Sequence, residues 1–148
     1  MIPAGKIPEM VKEVVKQHVK AMRVLLVDDM ELNNTNNAMI LTRIGFTRSN
    51  ITSAADGIEA YKKATTPPYP DLILTDWNMP RADGLKFIQT LRQFPQYRSI
   101  MIIMITAEPD KMRKDVEPYI NGFLKKPYSV IDVEDMVYSV VAKKLLGK

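Results

Sequence analysis

The chain has 148 residues, enough for one domain with a substantial core. Hydrophobic and charged fractions of 46% and 26% suit an ordinary globular protein, and the absence of cysteine excludes disulfides, thiolate metal sites and a cysteine nucleophile. The net charge of +4 is no nucleic-acid signature: Lys6, Lys12, Lys16 and Lys20 against Glu9 and Glu13 place half of it before residue 23, and no later helix carries a dense basic stripe or a DNA-reading motif. The longest apolar run, Ile100 to Ile105, is too short to cross a bilayer. No apolar signal-peptide core follows Met1, so the expected compartment is the cytoplasm, with no membrane or nucleic-acid partner.

The first element reads as an amphipathic helix after Pro8, with Met10, Val11, Val14, Val15, His18 and Val19 at helical spacing. It forms an expected extension over residues 1–21, ahead of a domain over 22–148. His18, the only histidine, has no ligand partners nearby and simply lies on that helix. From Arg23 strands and helices alternate. Val24–Val27 is an aliphatic strand ending in Asp28-Asp29, and a helix runs from about Glu31 to Ile44 with Gly45 as its stop. Ile51–Ala54 is a second strand, followed by Asp56-Gly57 and a short helix through Ala64. After a proline-rich loop, Leu72-Ile73-Leu74 is apolar throughout, as a strand buried on both faces should be. Pro80 cannot donate to a ladder and sets the strand's end near Asp76.

A helix from Asp83-Gly84 to about Phe94 follows, then a strand from Ile100 to Thr106 and a helix from Pro109 to near Ile120. Gly122–Leu124 is a brief fifth strand before Lys126-Pro127, and Ile131–Leu146 is the closing helix, with Val133, Met136, Val137, Val140 and Val141 on one face. Five strands alternating with five helices imply an α/β fold, a doubly wound parallel sheet with helices on both faces, plus the extra N-terminal helix. Only Gly147-Lys148 follow the last helix, so no second domain is expected.

Four strands end in polar residues: Asp28-Asp29, Asp76, Thr106 and Lys126. Taken singly, each suits a cap or a loop. In a parallel sheet they gather at one edge, where open α/β sheets bind ligands. Three clustered carboxylates repel one another unless a cation neutralises them, and all-oxygen donors suit Mg2+ or a similar hard ion.

In order along the chain stand Asp28-Asp29, Asp76 with Met79-Pro80, Asp83-Gly84, Thr106-Ala107 and Lys126-Pro127. This pattern resembles the receiver domain of two-component response regulators over about Met22 to Leu146. Asp76-Trp77-Asn78-Met79-Pro80 with Thr106-Ala107-Glu108 is similar to the stand-alone, CheY-like chemotaxis branch in particular. The resemblance implies a flavodoxin-like strand order of 2-1-3-4-5. It makes Asp76 the phosphoacceptor, attacking a phosphohistidine of a sensor histidine kinase. Asp29, Asp76 and the backbone carbonyl of Asn78 would bind Mg2+, with Asp28 acting through a water. Lys126 and Mg2+ would offset phosphoryl charge, and Thr106 would bond the phosphoryl group and move inward. Both acids of the Asp28-Asp29 pair reach one ion only if they lie past the strand end, where side-chain alternation stops.

The resemblance further implies tuning of dephosphorylation by Asn78 and Glu108, a cis peptide at Lys126-Pro127, and Phe123 either as a switching aromatic or as plain core. The stretch between Thr106 and Lys126 is shorter than usual, which predicts a trimmed helix there. The expected output is phosphorylation-dependent binding of a downstream protein such as a flagellar motor switch, by a chain that is no turnover enzyme but catalyses its own phosphorylation and dephosphorylation. The alternatives are a phosphorelay carrier that passes the group to a phosphotransfer protein, a degenerate docking module, and an aspartate-nucleophile phosphatase. The phosphatase would need Asp-x-Asp after the first strand, where this chain has Asp28-Asp29-Met30-Glu31.

Overall fold

The computed structural model describes residues 7–77 and 84–147, without the side chains of 111–113. Five strands, β1 (Val24–Val27), β2 (Ile51–Ala54), β3 (Leu72–Asp76), β4 (Met101–Thr106) and β5 (Gly122–Lys125), pair in parallel in the order β2-β1-β3-β4-β5. Between and around them lie α1 (Glu9–Val19), α2 (Glu31–Arg43), α3 (Gly57–Ala64), α4 (Gly84–Arg92), α5 (Pro109–Val116) and α6 (Val130–Leu145). The doubly wound sheet and its implied strand order are both present.

Strand alternation divides the interior into two cores. Val24 and Leu26 of β1 and Leu72 and Leu74 of β3 face a core shared with α1, α2 and α6. Leu25, Val27 and Ile73 face the other, with α3, α4 and Val116 of α5. Every residue of β1, β3 and β4 is buried, because both sheet faces are covered. That is why these segments read as unbroken apolar runs. The connections then fall on helices, and all the carboxyl ends of the strands share one edge.

Two helices stop short of their expected ends, both for the same reason. The residue before a proline disfavours helical geometry. Phe94 is extended before Pro95, and α4 ends at Arg92. Glu117 precedes Pro118, so α5 ends at Val116 and a single 3-10 turn, Glu117–Tyr119, replaces its last part.

The N-terminal helix packs on the domain itself. Val15 and Val19 are fully buried against the α2–α6 side, and Ile7 joins them. The expected apolar stripe is narrower than its spacing suggested, since Met10 (80%) and Val14 (49%) remain exposed and His18 faces solvent. Gly45 makes the close approach possible: its φ of 121° suits glycine, and a Cβ there would stand 3.2 Å from Val19 Cγ2. Beside it the Tyr138 hydroxyl donates to the Ile44 carbonyl, and Thr47 Oγ1 donates to the Lys20 carbonyl at 2.6 Å. No helix among the described residues is long and apolar enough to cross a membrane.

This packing has a measurable consequence. Val15→Ala and Val19→Ala should each cost about 2 kcal/mol. Together they should lower the melting temperature by roughly 10 °C. Met10→Ala should stay within about 0.5 kcal/mol of the parent. Thermal melts of the three variants check the assignment; equal effects at Met10 and Val19 would contradict it.

Candidate functional site

Strand register assembles the site. Val27 pairs with Thr75, so Asp28 and Asp76 emerge side by side one residue further on. Asp76 pairs with Ile105 and Thr106 with Lys125, which puts Thr106 and Lys126 at the next steps of the same edge. β1 ends at Val27, so Asp28 and Asp29 both lie past the strand, as a shared ion requires. Carboxylate oxygens of Asp28, Asp29 and Asp76 lie within 4.8 Å of one another. Lys126 Nζ stands 3.2 Å from Asp76 Oδ1. Asp28 and Asp76 are buried, whereas Asp29 is exposed.

The surroundings differentiate the three acids. Asp28 Oδ1 accepts the Met30 N–H at 2.9 Å and Oδ2 accepts the Asn33 amide at 3.1 Å. Burial pushes the Asp28 carboxyl above its ordinary value, the Met30 N–H pulls it down, and the Asp76 charge adds to the rise. Asp29 has no hydrogen-bond partner among the described residues. Its exposed oxygens leave one side of the cluster open to an ion that keeps part of its water shell. The donors fit Mg2+: all are carboxylate oxygens, with no nitrogen or sulfur donor, and they crowd negative charge against which, among the described residues, Lys126 is the paired cation.

Thr106 is buried, and its Oγ1 accepts the Glu108 N–H at 3.0 Å. Glu108 itself is exposed on the turn beyond β4. Lys126 N–H donates to the Thr106 carbonyl at 2.8 Å, and the Lys126–Pro127 peptide is cis. Phe123 is half-buried and packs against the core shared with α3 and α4. Asn78, with its expected carbonyl ligand and tuning role, lies outside the described residues, as do Met79, Pro80 and Asp83. Gly84 is required sterically: a Cβ there would fall 2.7 Å from the Asp76 carbonyl oxygen, so only glycine lets α4 begin against the end of β3.

Four contributors escaped the sequence reading. Asn34 is buried and its amide bridges the Asp28 and Ala54 carbonyls at 3.1 and 3.2 Å, tying the ends of β1 and β2 together. Asn33 holds Asp28, and Asn37 accepts the Tyr128 hydroxyl at 2.7 Å. Burial also raises the Tyr128 phenol, which therefore stays neutral and donates. Asn33-Asn34-Thr35-Asn36-Asn37 is a run of poor helix formers inside a helix, and that conflict was the available signal.

The response regulator receiver domain family matches residues 24–138. A probable chemotaxis protein CheY of Rhizobium etli is 31% identical over 121 residues, 80% of this chain and 92% of that protein. Chemotaxis protein CheY1 of Helicobacter pylori is 30% identical over 73% of this chain and 87% of its own length. Among solved structures, the chemotaxis response regulator CheY4 of Vibrio cholerae superposes with a TM-score of 0.72 at 30% identity, covering 80% of this chain and 98% of that one. A receiver domain of a Pseudomonas aeruginosa sensor histidine kinase, with a TM-score of 0.68 at 27% identity, covers 86% of this chain and 98% of that one. It carries a magnesium ion in its active-site cleft.

Relief of carboxylate repulsion is testable. Mg2+ at ten times its dissociation constant should stabilise the fold by about 1.4 kcal/mol, a rise of roughly 3–6 °C in melting temperature. Trp77, half-buried and adjacent to Asp76, should report binding by fluorescence. Asp29→Asn should stabilise the metal-free protein and weaken Mg2+ binding. The pH sign follows from Asp28: its raised folded value means the folded state holds a proton that the unfolded chain, at 3.8, releases. That contribution is fully present below 3.8 and is lost as pH rises through the folded value. The Mg2+-induced rise in melting temperature should therefore shrink as pH falls through the same window. Millimolar Mg2+ that moves neither melting temperature nor Trp77 emission would refute the site.

Proposed function

The chain belongs to the response regulator receiver domain family, and on that premise we propose that it is a phosphorylation switch in which Asp76 accepts a phosphoryl group from a sensor histidine kinase and a separate protein reads the result. The observation that carries this reading is the edge itself. Three carboxylates within 4.8 Å and an ammonium 3.2 Å from Asp76 bring a nucleophile, a cation site and a counter-charge together.

The chemistry follows from these residues. A carboxylate oxygen of Asp76 attacks the phosphorus of the donor phosphohistidine. The phosphorus–nitrogen bond breaks, the imidazole leaves with its electron pair and takes up a proton, and an acyl phosphate forms. Lys126 can move from Asp76 Oδ1 to a phosphoryl oxygen, and Thr106 Oγ1, at the end of the neighbouring strand, supplies a hydroxyl to the same group. Bound to Asp29, Asp76 and the Asn78 carbonyl, Mg2+ would neutralise phosphoryl charge as it develops. Asp28, held by Met30 and Asn33, would bind that ion's water rather than the ion. The chain catalyses its own phosphorylation and dephosphorylation and turns over no other substrate.

The similarity to CheY proteins supports a chemotaxis role in the cytoplasm, with a flagellar motor component as the class of target. The reading surface would be the face of α5, β5 and α6, beside which Phe123 lies. A CheX–CheY complex of Borrelia burgdorferi, of which the CheY-like chain is 31% identical with a TM-score of 0.71, is a precedent for a receiver engaged by a partner protein.

Acetyl phosphate with Mg2+ should add one phosphoryl group by intact mass, and Asp76→Asn should abolish it. Undiminished labelling of that variant would remove Asp76 as acceptor. The acyl phosphate should decay in water without a second histidine protein, and Asn78→Leu or Glu108→Leu should slow that decay. A phosphoprotein stable for hours, or decay unchanged in both variants, would instead fit a phosphorelay carrier.

A further inference from the structure

We propose that Tyr128 is a positioning residue for phosphoryl transfer: its hydrogen bond to Asn37 fixes the loop that carries Lys126 and so holds that ammonium against Asp76. The inference rests on the reading of Asp76 as acceptor and adds to it a residue pair that acts through Lys126 without touching the reacting atoms.

Asn37 is 5% exposed, in the middle of a helix whose same face buries Ala38 and Leu41. An amide there weakens the helix and is costly to bury unless it is bonded. Its side-chain oxygen accepts from the Tyr128 hydroxyl, 91 positions away in sequence, at 2.7 Å. One turn earlier on the same helix, Asn33 and Asn34 hold the Asp28 carboxylate and the Asp28 carbonyl. Two residues before Tyr128, Lys126 reaches Asp76. Helix α2 therefore grips both halves of the acid pocket, β1 through Asn33 and Asn34 and the β5–α6 loop through Asn37.

Besides the packing of the Tyr128 ring against the core shared with α1, α2 and α6, few polar ties hold the loop. Among the described residues, 126–128 are tied to other elements by the Lys126 N–H to Thr106, the Lys126 ammonium to Asp76, and Tyr128 to Asn37. Its outer flank faces an open cleft of about 480 Å³ that Tyr128, Asp132 and Met136 also line. Loss of the Tyr128 hydroxyl frees the loop toward that cleft. The ammonium then leaves Asp76 more often, while Asp28 keeps its bonds to Met30 and Asn33.

The test compares the full chain with Tyr128→Phe and Asn37→Leu in three measurements. Reductive methylation of the unphosphorylated proteins, read by peptide mass spectrometry, should label Lys126 several times faster in both variants, with exposed Lys62 unchanged as reference. Transfer from acetyl phosphate at saturating Mg2+ should slow about fivefold, the equivalent of one neutral hydrogen bond. The Mg2+ dissociation constant, from Trp77 fluorescence, should be unchanged. Lys126 labelling equal to the parent, or an unchanged transfer rate, overturns the proposal. So does a fall in Mg2+ affinity matching the fall in rate, since the pair would then be a general brace of the pocket. If Lys126 labelling rises but even the parent takes no phosphoryl group, the Asp76 reading fails while the positioning of Lys126 stands.

Discussion

Crowding of like charge at one sheet edge is the constraint around which this molecule is built. Two nearly buried carboxylates and a third exposed one share a pocket in which their oxygens lie within 4.8 Å. At an effective dielectric of about 20, a pair at such a distance repels by on the order of 3–4 kcal/mol. The hydrogen bonds from Met30 and Asn33 to Asp28 are charge-assisted and contribute roughly 1.5–3 kcal/mol each. With Lys126 on Asp76, these supports offset much of the repulsion among the three acids and leave a remainder. The fold tolerates that residue of strain only because the sheet beneath is held from both sides.

That support has a specific geometry. β1 and β3 are the inner strands from which Asp28 and Asp76 emerge, and both are covered on each face by a separate core. A shift of one residue in either strand would exchange the two cores and turn the acids away from each other. The hydrophobic pattern that fixes register thus also fixes the acid pocket. Gly84 adds the remaining condition, since any side chain there would push on the carbonyl of Asp76 itself.

This dependence explains what could be read from residues alone. Leu72–Leu74 and Ile100–Ile105 announce strands buried on both faces, and the first polar residue after each run marks the edge. The acids, Thr106 and Lys126 were therefore legible as a group, because parallel strands align their ends. Asn37 and Tyr128 were not, since their bond spans 91 positions and neither residue stands at a strand end. The Asn33–Asn37 run was visible but had no partner in view. The exposed flank of α1 was hidden for another reason: helical spacing identifies an apolar side, and only the position of α6 and Gly45 decides how much of it is covered.

The asparagine run and the N-terminal helix are two sides of one compromise. Five poor helix formers weaken α2 by roughly 2–3 kcal/mol relative to strong ones, at the end where the helix must reach Asp28 and Tyr128. The opposite end of α2 is secured by apolar and backbone contacts. Leu41 and Ile44 are buried, Tyr138 of α6 holds the Ile44 carbonyl, and Val19 of α1 closes over Gly45. The loop that follows is anchored to the end of α1 through Thr47 and Lys20. Burying Val15 and Val19 contributes about 3–6 kcal/mol on its own, which is of the size needed to offset the weak turns. On this reading α1 is what lets α2 present amides instead of apolar side chains to the acid pocket.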